Sequence, residues 1–271
     1  MSIAVEIAES LAADASHHGG TFNDLVLQRL EELIGSSFGR TLETGCGKST
    51  IFFSRASREH LAFAIDDRGA PGSSLAFVEA SPLFRPEACR FVLGPTQATL
   101  PRHAFDPPAF DVVLLDGPHG YPFVELEYYF LYPQIRPGGH LIVDDVHIPT
   151  IGRFADFLFE EPMFELVETV VTTALFRRTE APAFDPLCDG WWRQPYNRRR
   201  ISPGKADLHL ADRPPVDFFS AQKLDQLLMD GHLGVHLGEA PQGARPSYVP
   251  PPPEPPPRPG LIARLAAALK G

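Results

Sequence analysis

Short apolar runs recur between residues 41 and 178, and the segments between them are long enough to form helices. Near-continuous apolar runs are typical of parallel strands that are covered on both faces of a sheet. Strands that alternate with helices indicate a doubly wound α/β fold with a seven-stranded, mostly parallel sheet. The last two runs almost touch, which predicts an antiparallel hairpin at one edge. The predicted strands are 41–44, 61–66, 89–93, 110–116, 140–145, 164–171 and 173–178, and the predicted helices lie near 49–58, 73–80, 122–135 and 150–160.

The segments on either side of this core have other patterns. Two amphipathic helices are predicted at the N-terminus, the second with a capping box at Thr21 and Asp24 and a C-cap at Gly35. The proline tract Pro250–Gly260 favours extended polyproline II over a packed core. The predicted parts are an N-terminal helical segment (1–36), a core (37–180), an extension that forms a lid, a substrate wall or a dimer contact (181–240), and a Pro-rich linker with a short terminal helix (241–271).

Composition excludes several classes of function. Hydrophobic residues make up 44% of the chain, enough to bury a core, and the net charge of -10 argues against nucleic acid as a partner. The three cysteines, Cys46, Cys89 and Cys188, are far apart, so neither a disulfide framework nor a zinc site is expected. The N-terminus lacks the features of a signal peptide, and no run is long enough for a transmembrane helix. We therefore expect a cytoplasmic protein.

The stretch from Thr41 to Thr50, TLETGCGKST, places a glycine pair between the first strand and a helix. A nucleoside-triphosphate loop needs a glycine five residues before the Gly-Lys pair, where this chain has Leu42. A dinucleotide fingerprint needs a third glycine where this chain has Thr50. The remaining interpretation is a loop whose glycines let the backbone pass close to a ligand, before a helix N-terminus that can receive an anion. A plain tight turn is the alternative.

The second predicted strand ends in Asp66 and Asp67, about twenty residues after the glycine pair. In this kind of fold an acid at that place accepts hydrogen bonds from ribose hydroxyls. We assign this role to Asp66, because it directly ends the apolar run AFAI. Asp67 is then a solvated neighbour.

Four motifs in order, ETGCG, the acid Asp66, DVVLLDGPHGY and RPGGHLIVDD, resemble those of class I S-adenosylmethionine-dependent methyltransferases. The resemblance covers roughly residues 38–178 and implies a Rossmann-like sheet and S-adenosylmethionine as cofactor. In such enzymes the glycine loop holds the methionine part of the cofactor and residues after the third strand flank the adenine. The cofactor-binding residues that the resemblance implies are Glu43, Gly45, Cys46, Gly47, Ser49, Asp66, Thr96 and Asp116.

Three carboxylates follow neighbouring strands, with Asp116 after the fourth strand and Asp144 and Asp145 after the fifth. Strands of a parallel sheet end at the same edge, so these groups converge and repel one another unless a cation lies between them. Oxygen ligands suit Mg²⁺. Because neighbouring residues of a strand point to opposite faces, Asp144 and Asp145 can share an ion only if the backbone turns there. In the alternative interpretations Asp116 only shapes the pocket, Asp144 caps the next helix, and His119 and His147 are ordinary loop residues.

The pattern Asp116-x-x-His119 followed by Asp144-Asp145 resembles metal-dependent O-methyltransferases of the macrolide-sugar and cephalosporin-hydroxylase-like group. The resemblance implies Mg²⁺ bound by Asp116, Asp144 and Asp145, with Asp116 and His119 catalytic and His119 the general base. It implies O-methylation of a small molecule, such as a sugar or a polyketide-type metabolite. A metal-independent O- or N-methyltransferase and a non-catalytic cofactor-binding interaction module are the alternatives. No nucleic acid partner is expected, and a homo-oligomer is left open.

Overall fold

A computed structural model describes residues 2–11, 22–105, 110–184 and 194–200 of the 271-residue chain. The predicted proline-rich linker and terminal helix lie outside these residues, as does most of the predicted extension. The proposed division at residues 36, 180 and 240 therefore stays a prediction. Within the described ranges, no helix combines the length and the apolar character that crossing a membrane requires.

The core of the described chain is a seven-stranded sheet with the order β3-β2-β1-β4-β5-β7-β6. The pairs formed among β1 to β5 are parallel, whereas β7 is antiparallel to both β5 and β6. The predicted doubly wound, Rossmann-like fold and its antiparallel edge hairpin are thus confirmed. The strands are β1 Phe38–Thr44, β2 Ser57–Ala64, β3 Cys89–Leu93, β4 Phe110–Leu115, β5 Ile135–Val143, β6 Phe164–Val170 and β7 Thr173–Arg178.

Helices connect the strands and cover both faces of the sheet. They are α1 Ile3–Ser10, α2 Asp24–Ile34, α3 Lys48–Ala56, α4 Ser74–Ala80, α5 Thr96–Thr99, α6 Phe123–Leu131, α7 Pro149–Glu160 and α8 Pro195–Arg200. Helix α2 ends at Gly35 as predicted, with a φ of 82° that suits glycine. The predicted capping box is wrong, because the N-cap is Asn23, whose side chain accepts the N–H of Leu25.

The apolar runs are continuous because successive residues of each strand enter different cores. In β4, Val112 and Leu114 pack with helices α1 to α3, whereas Val113 and Leu115 pack with α6 and α7 on the other face. All four are at most 2% exposed. Burying a side chain of this size is worth about 1.5–3 kcal/mol, so both faces stabilise the sheet.

The N-terminal helices are anchored on the domain by polar contacts as well as by apolar packing. The Glu31 carboxylate on α2 accepts the backbone N–H groups of Ile3 and Ala4, at 3.0 and 2.9 Å, at the start of α1. Arg55 on α3 donates to Glu6 on α1 at 2.7 Å. These contacts join α1 to both α2 and α3. The start of α2 reaches the carboxyl edge of the sheet, where Asp24 lies 2.8 Å from the ammonium of Lys48.

Candidate active site

The carboxyl ends of β1, β2, β4 and β5 meet at one edge of the sheet, where Thr44 is in register with both Phe63 and Leu115, and Leu115 with Val143. A cavity of about 340 Å³ opens at this edge. Most of the side chains predicted to bind the cofactor line it, and His119 does so as well. The predicted residues that line the cavity are Gly45, Cys46, Gly47, Ser49, Thr96, Asp116 and His119.

The glycine loop, residues 45–47, is pressed against the loop that follows β4. Gly45 has a φ of 97°, and a Cβ atom there would lie 2.2 Å from the backbone oxygen of Asp116. The N–H of Asp116 donates to the backbone oxygen and to the hydroxyl of Thr44, both at 3.2 Å. Only glycine allows this approach, and Asp116 is therefore held directly beside the glycine loop.

Glu43 does not line the cavity, although it was predicted to bind the cofactor. It is fully buried in β1, where it accepts the hydroxyl hydrogen of Thr50 and lies 3.1 Å from Nε2 of His60. The Thr50 hydroxyl in turn accepts the N–H of Gly47 at 2.9 Å. The structure therefore places Glu43 behind the glycine loop, which it supports through Thr50.

The two aspartates after β2 have exchanged the places predicted for them. Asp66 does not line the cavity; its carboxylate is exposed and pairs with Arg68 at 3.0 Å. Asp67 does line the cavity, and it accepts the Ser73 hydroxyl at 2.6 Å and the Ser74 N–H at 2.7 Å. The reason is that β2 ends at Ala64, two residues earlier than predicted, so the chain has already left the sheet at Asp66.

Asp116, His119 and Asp145 form a compact set, called here the acid–histidine group. One side-chain ligand atom from each lies within 4.8 Å of the others, and these are the candidate metal ligands among the residues the structure describes. Nε2 of His119 lies 2.9 Å from Asp145 and 4.0 Å from Asp116. Asp116 and His119 also line the cavity. The group thus stands at the wall of the cavity, with its charged atoms facing one another.

The charges of this group depend strongly on one another. Hydrogen bonding to Asp116 and Asp145 raises the pKa of His119 to about 10, so the imidazole is protonated at neutral pH. Burial raises the pKa of Asp116, and the nearby Asp145 carboxylate adds to the increase. The imidazolium therefore lies between two carboxylates and balances their charge, as a metal cation could.

Asp144 differs from its neighbour. Strand β5 ends at Val143 and Asp145 has a φ of 55°, so the backbone does turn here. The turn directs Asp145 towards His119, whereas the Asp144 carboxylate accepts the hydroxyl of Thr173 at 2.5 Å. Asp144 is therefore not part of the acid–histidine group. The third member of that group is His119, whereas the sequence predicted Asp144. Asp144 does not cap the next helix either, because the N-cap of α7 is Ile148.

Comparison with known proteins gives the domain its family. Residues 42–146 match the family model described as a methyltransferase domain. The chain contains a methyltransferase domain. This match runs from β1 to the turn after β5, and it therefore includes the glycine loop and the acid–histidine group. The predicted class I methyltransferase fold and enzyme class are confirmed. No curated protein matches this sequence.

The solved structures that this chain matches include three at low identity. The O-methyltransferase TomG of Streptomyces achromogenes, solved with SAM, is 19% identical with a TM-score of 0.46, covering 66% of this chain and 90% of its own. A Bacillus cereus O-methyltransferase solved with SAH is 18% identical with a TM-score of 0.48, covering 66% and 91%. The SAH-bound Podospora anserina methyltransferase PaMTH1 is 16% identical with a TM-score of 0.47, covering 66% and 89%.

Sequence reasoning missed some residues of the methyltransferase site. Phe22 lines the cavity from the N-terminal segment, and no local signal identifies it. Glu127 is 1% exposed on α6, and its carboxylate accepts the Thr44 hydroxyl at 2.7 Å. A signal for Glu127 did exist, because it occupies a position that helical spacing assigns to the apolar face, between Val124 and Leu131.

Proposed function

We propose that this methyltransferase transfers the methyl group of S-adenosylmethionine to a hydroxyl of a small molecule, with a divalent cation such as Mg²⁺ at the acid–histidine group. One observation carries the proposal: Asp116 and His119 belong both to that group and to the wall of the cavity at the glycine loop. A methyl donor held at the glycine loop would therefore face an acceptor held at the group. A sugar or a polyketide-type metabolite is the class of acceptor that we propose.

The cavity has the features that the cofactor requires. The glycine loop leaves room for the methionine part at Gly45 and Gly47, and Ser49 lies beside it. Asp67, rather than Asp66, is our candidate for the ribose hydroxyls. It already accepts hydrogen bonds from Ser73 and from the start of α4, but a carboxylate offers about four acceptor positions.

The wall after β3 fits the adenine end of the cofactor. Thr96 and Gln97 both line the cavity there, behind Gly94 and Pro95. The Thr96 side chain is buried, whereas the Gln97 side chain is exposed. We propose Gln97 as a hydrogen-bonding partner of the adenine, because its amide can both donate and accept.

The donor set of the acid–histidine group fits a divalent cation. Two carboxylates and an imidazole suit several such ions, and the carboxylates of Asp116 and Asp145 alone suit Mg²⁺. With their charge neutralised by a cation, these carboxylates would no longer hold the proton on His119. The imidazole would then be free to accept a proton at neutral pH. Asp144 as a further ligand stays a prediction.

The residues of the chain align the reactants and move one proton. When bound, the cofactor supplies a methyl group on a sulfonium, which leaves as a neutral thioether while the acceptor oxygen forms the new bond to carbon. Asp116, fixed against Gly45, places the acceptor beside the donor. His119 takes the proton of the acceptor hydroxyl. General base catalysis of this kind is worth about 10²–10⁴ in rate.

A methyl-transfer assay tests this function. Purified protein is incubated with S-adenosylmethionine and a panel of sugars, diols and polyketide-type alcohols, with Mg²⁺ or with a chelator. We expect transfer that the chelator abolishes, and a loss of about 10²–10⁴ in kcat for His119→Ala with little change in the affinity for S-adenosylhomocysteine. Transfer that is indifferent to both changes contradicts the cation and the base.

A metal-independent methyltransferase is the second candidate function. The observation that favours it is the position of His119, whose imidazolium already balances Asp116 and Asp145 without an ion. Full activity in the chelator, with His119→Ala inactive, would select this candidate.

A further inference from the structure

The N-terminal helices contribute to the cavity, although they precede the residues that the family model matches. Phe22, 6% exposed, lines the cavity just before α2, and Asp24 is the first residue of that helix. The match begins only at residue 42. This part of the wall therefore lies outside the residues that the family model matches.

Asp24 forms an ion pair with Lys48, a buried lysine that lines the cavity. Lys48 is the first residue of α3, directly after Gly47, and its side chain is 8% exposed. Its ammonium lies 2.8 Å from the Asp24 carboxylate, and the residue lines the cavity. Lysine is almost never fully buried unless it is paired, so Asp24 explains how Lys48 can stay inside.

The place of Lys48 is electrostatically unfavourable in the absence of an anion. The N-terminus of a helix carries partial positive charge, so a lysine at the first position of α3 adds a like charge. Asp24 neutralises one side of the ammonium, but it lies on α2 and is half exposed. An ammonium has three N–H donors, and Asp24 accepts from one of them. The ammonium and the start of α3 together offer a site for a carboxylate.

We propose that Lys48 binds the carboxylate of the amino-acid part of the cofactor, and that Asp24 is a positioning residue that holds the Lys48 ammonium in place. This inference rests on the proposed cofactor. It makes α2 part of the cofactor site, and it assigns to Lys48 the discrimination between ligands that carry an amino-acid carboxylate and nucleosides that lack it.

Two ligands separate this role from general packing. S-adenosylhomocysteine carries the carboxylate, whereas 5′-methylthioadenosine shares the adenosine and thioether but lacks the amino-acid part. Calorimetry gives the Kd of each for the wild type and for Lys48→Met. Because a hydrogen bond to a charged group is worth about 1.5–3 kcal/mol, we expect Lys48→Met to weaken S-adenosylhomocysteine roughly 10- to 100-fold and 5′-methylthioadenosine less than about twofold. Lys48→Arg should keep most of the discrimination.

A double-mutant cycle tests the part of Asp24. Asp24→Asn should weaken S-adenosylhomocysteine by about threefold on its own, and it should add nothing to Lys48→Met, because residues that act through one contact are not additive. The matched control is Glu32→Gln, which removes an acid of the same helix that pairs with Arg29. It should leave both affinities unchanged. Circular dichroism and the unfolding midpoint show that each variant is folded.

The outcomes separate the inference from the function on which it rests. A wild type that binds neither ligand contradicts the proposed cofactor. If the wild type binds and Lys48→Met weakens the affinity for both ligands equally, the carboxylate role of Lys48 is contradicted while the proposed cofactor stands. Additive effects of the two substitutions would overturn the role of Asp24 as a positioning residue. If Lys48→Met does not fold, Lys48→Gln replaces it under the same criteria.

Discussion

Two acids, Glu43 and Glu127, are buried behind two adjoining walls of the cavity, and their surroundings differ. Glu43 lies behind the glycine loop, where it contacts the hydroxyl of Thr50 and the imidazole of His60. Glu127 lies behind the loop after β4 and accepts the Thr44 hydroxyl; like Glu43, it also has one carboxylate oxygen with no hydrogen-bond partner among the described residues. A Cβ atom on Gly117 would lie 2.3 Å from that oxygen. Glu43 thus contacts the ring nitrogen of His60, whereas Glu127 contacts the hydroxyl of Thr44.

The two walls are held in different ways. The glycine loop is held by a chain of hydrogen bonds that runs from His60 through Glu43 and Thr50 to the backbone of Gly47. On the other side, burial raises the pKa of Glu127 to about 7, so that wall contains a carboxyl group whose charge changes near neutral pH. We infer that the wall at the glycine loop is held in one hydrogen-bonded arrangement, whereas the wall after β4 is sensitive to pH.

Substitution of Gly45, where the two walls touch, should have the strongest consequences. A Cβ atom there would lie 2.2 Å from the backbone oxygen of Asp116, in a residue with a φ of 97°. Gly45→Ala therefore adds steric overlap to an unfavourable backbone angle, and we expect a loss of roughly 2–5 kcal/mol in the free energy of unfolding. The loss of cofactor binding should accompany it. Urea denaturation and calorimetry measure the two effects.

The control for this substitution is Gly69→Ala. Gly69 lies in the loop after β2, and a Cβ atom there would meet no atom within 4 Å. It should change the free energy of unfolding by less than about 0.5 kcal/mol. Equal stability of the two variants would show that the walls do not need the close contact between Gly45 and Asp116.

The next effect is a pH dependence of stability that Glu127 creates. Its pKa is raised from 4.5 to about 7 by burial. Below pH 4.5 both the folded and the unfolded state hold the proton, and Glu127 changes nothing. As the pH rises from 4.5 to about 7, only the unfolded state loses the proton, so stability falls by roughly 3 kcal/mol and then stays constant. We expect Glu127→Gln to remove this decline.

Urea denaturation at a series of pH values between 4 and 8 measures the decline. Glu9→Gln, on the exposed face of α1, controls for the loss of one negative charge. The wild type and Glu9→Gln should fall in parallel while Glu127→Gln stays flat relative to them. Three parallel curves would mean that Glu127 ionises in the folded protein as it does in the unfolded chain.

The strands were predictable because burial on both faces requires a continuous run of apolar residues. Strand β3 has the predicted bounds, and β7 does too. Strand β5 begins at Ile135 instead of residue 140. Ile135 pairs with Phe110, and the sequence RPGG at 136–139 forms an irregularity in the pairing with β4 rather than ending the strand. Apolar runs thus report the covered part of a strand and omit its exposed start.

The site was only partly predictable, since it depends on side-chain directions. The sequence located the loops that carry Asp116, His119 and Asp145, but not the choice between Asp144 and Asp145. That choice follows from the φ of 55° at Asp145, a value that no local residue rule requires of an aspartate. The choice between Asp66 and Asp67 likewise follows from where β2 ends.

A weaker effect, on ligand affinity, should distinguish Asp66 from Asp67. Asp67 lines the cavity and Asp66 is exposed beside Arg68, so we expect ligand binding in the cavity to be more sensitive to substitution of Asp67 than of Asp66. Asp67→Asn should weaken S-adenosylhomocysteine roughly threefold to tenfold, because a hydrogen bond between neutral groups is worth about 0.5–1.5 kcal/mol and those to charged groups more. Asp66→Asn should change the Kd by less than about twofold, since an exposed ion pair contributes little. Calorimetry on the two variants side by side measures the difference, and the unfolding midpoint of Asp67→Asn controls for its hydrogen bonds to Ser73 and Ser74. A larger loss in Asp66→Asn than in Asp67→Asn would restore the assignment made from the sequence and would mean that the loop after β2 rearranges when the cofactor binds.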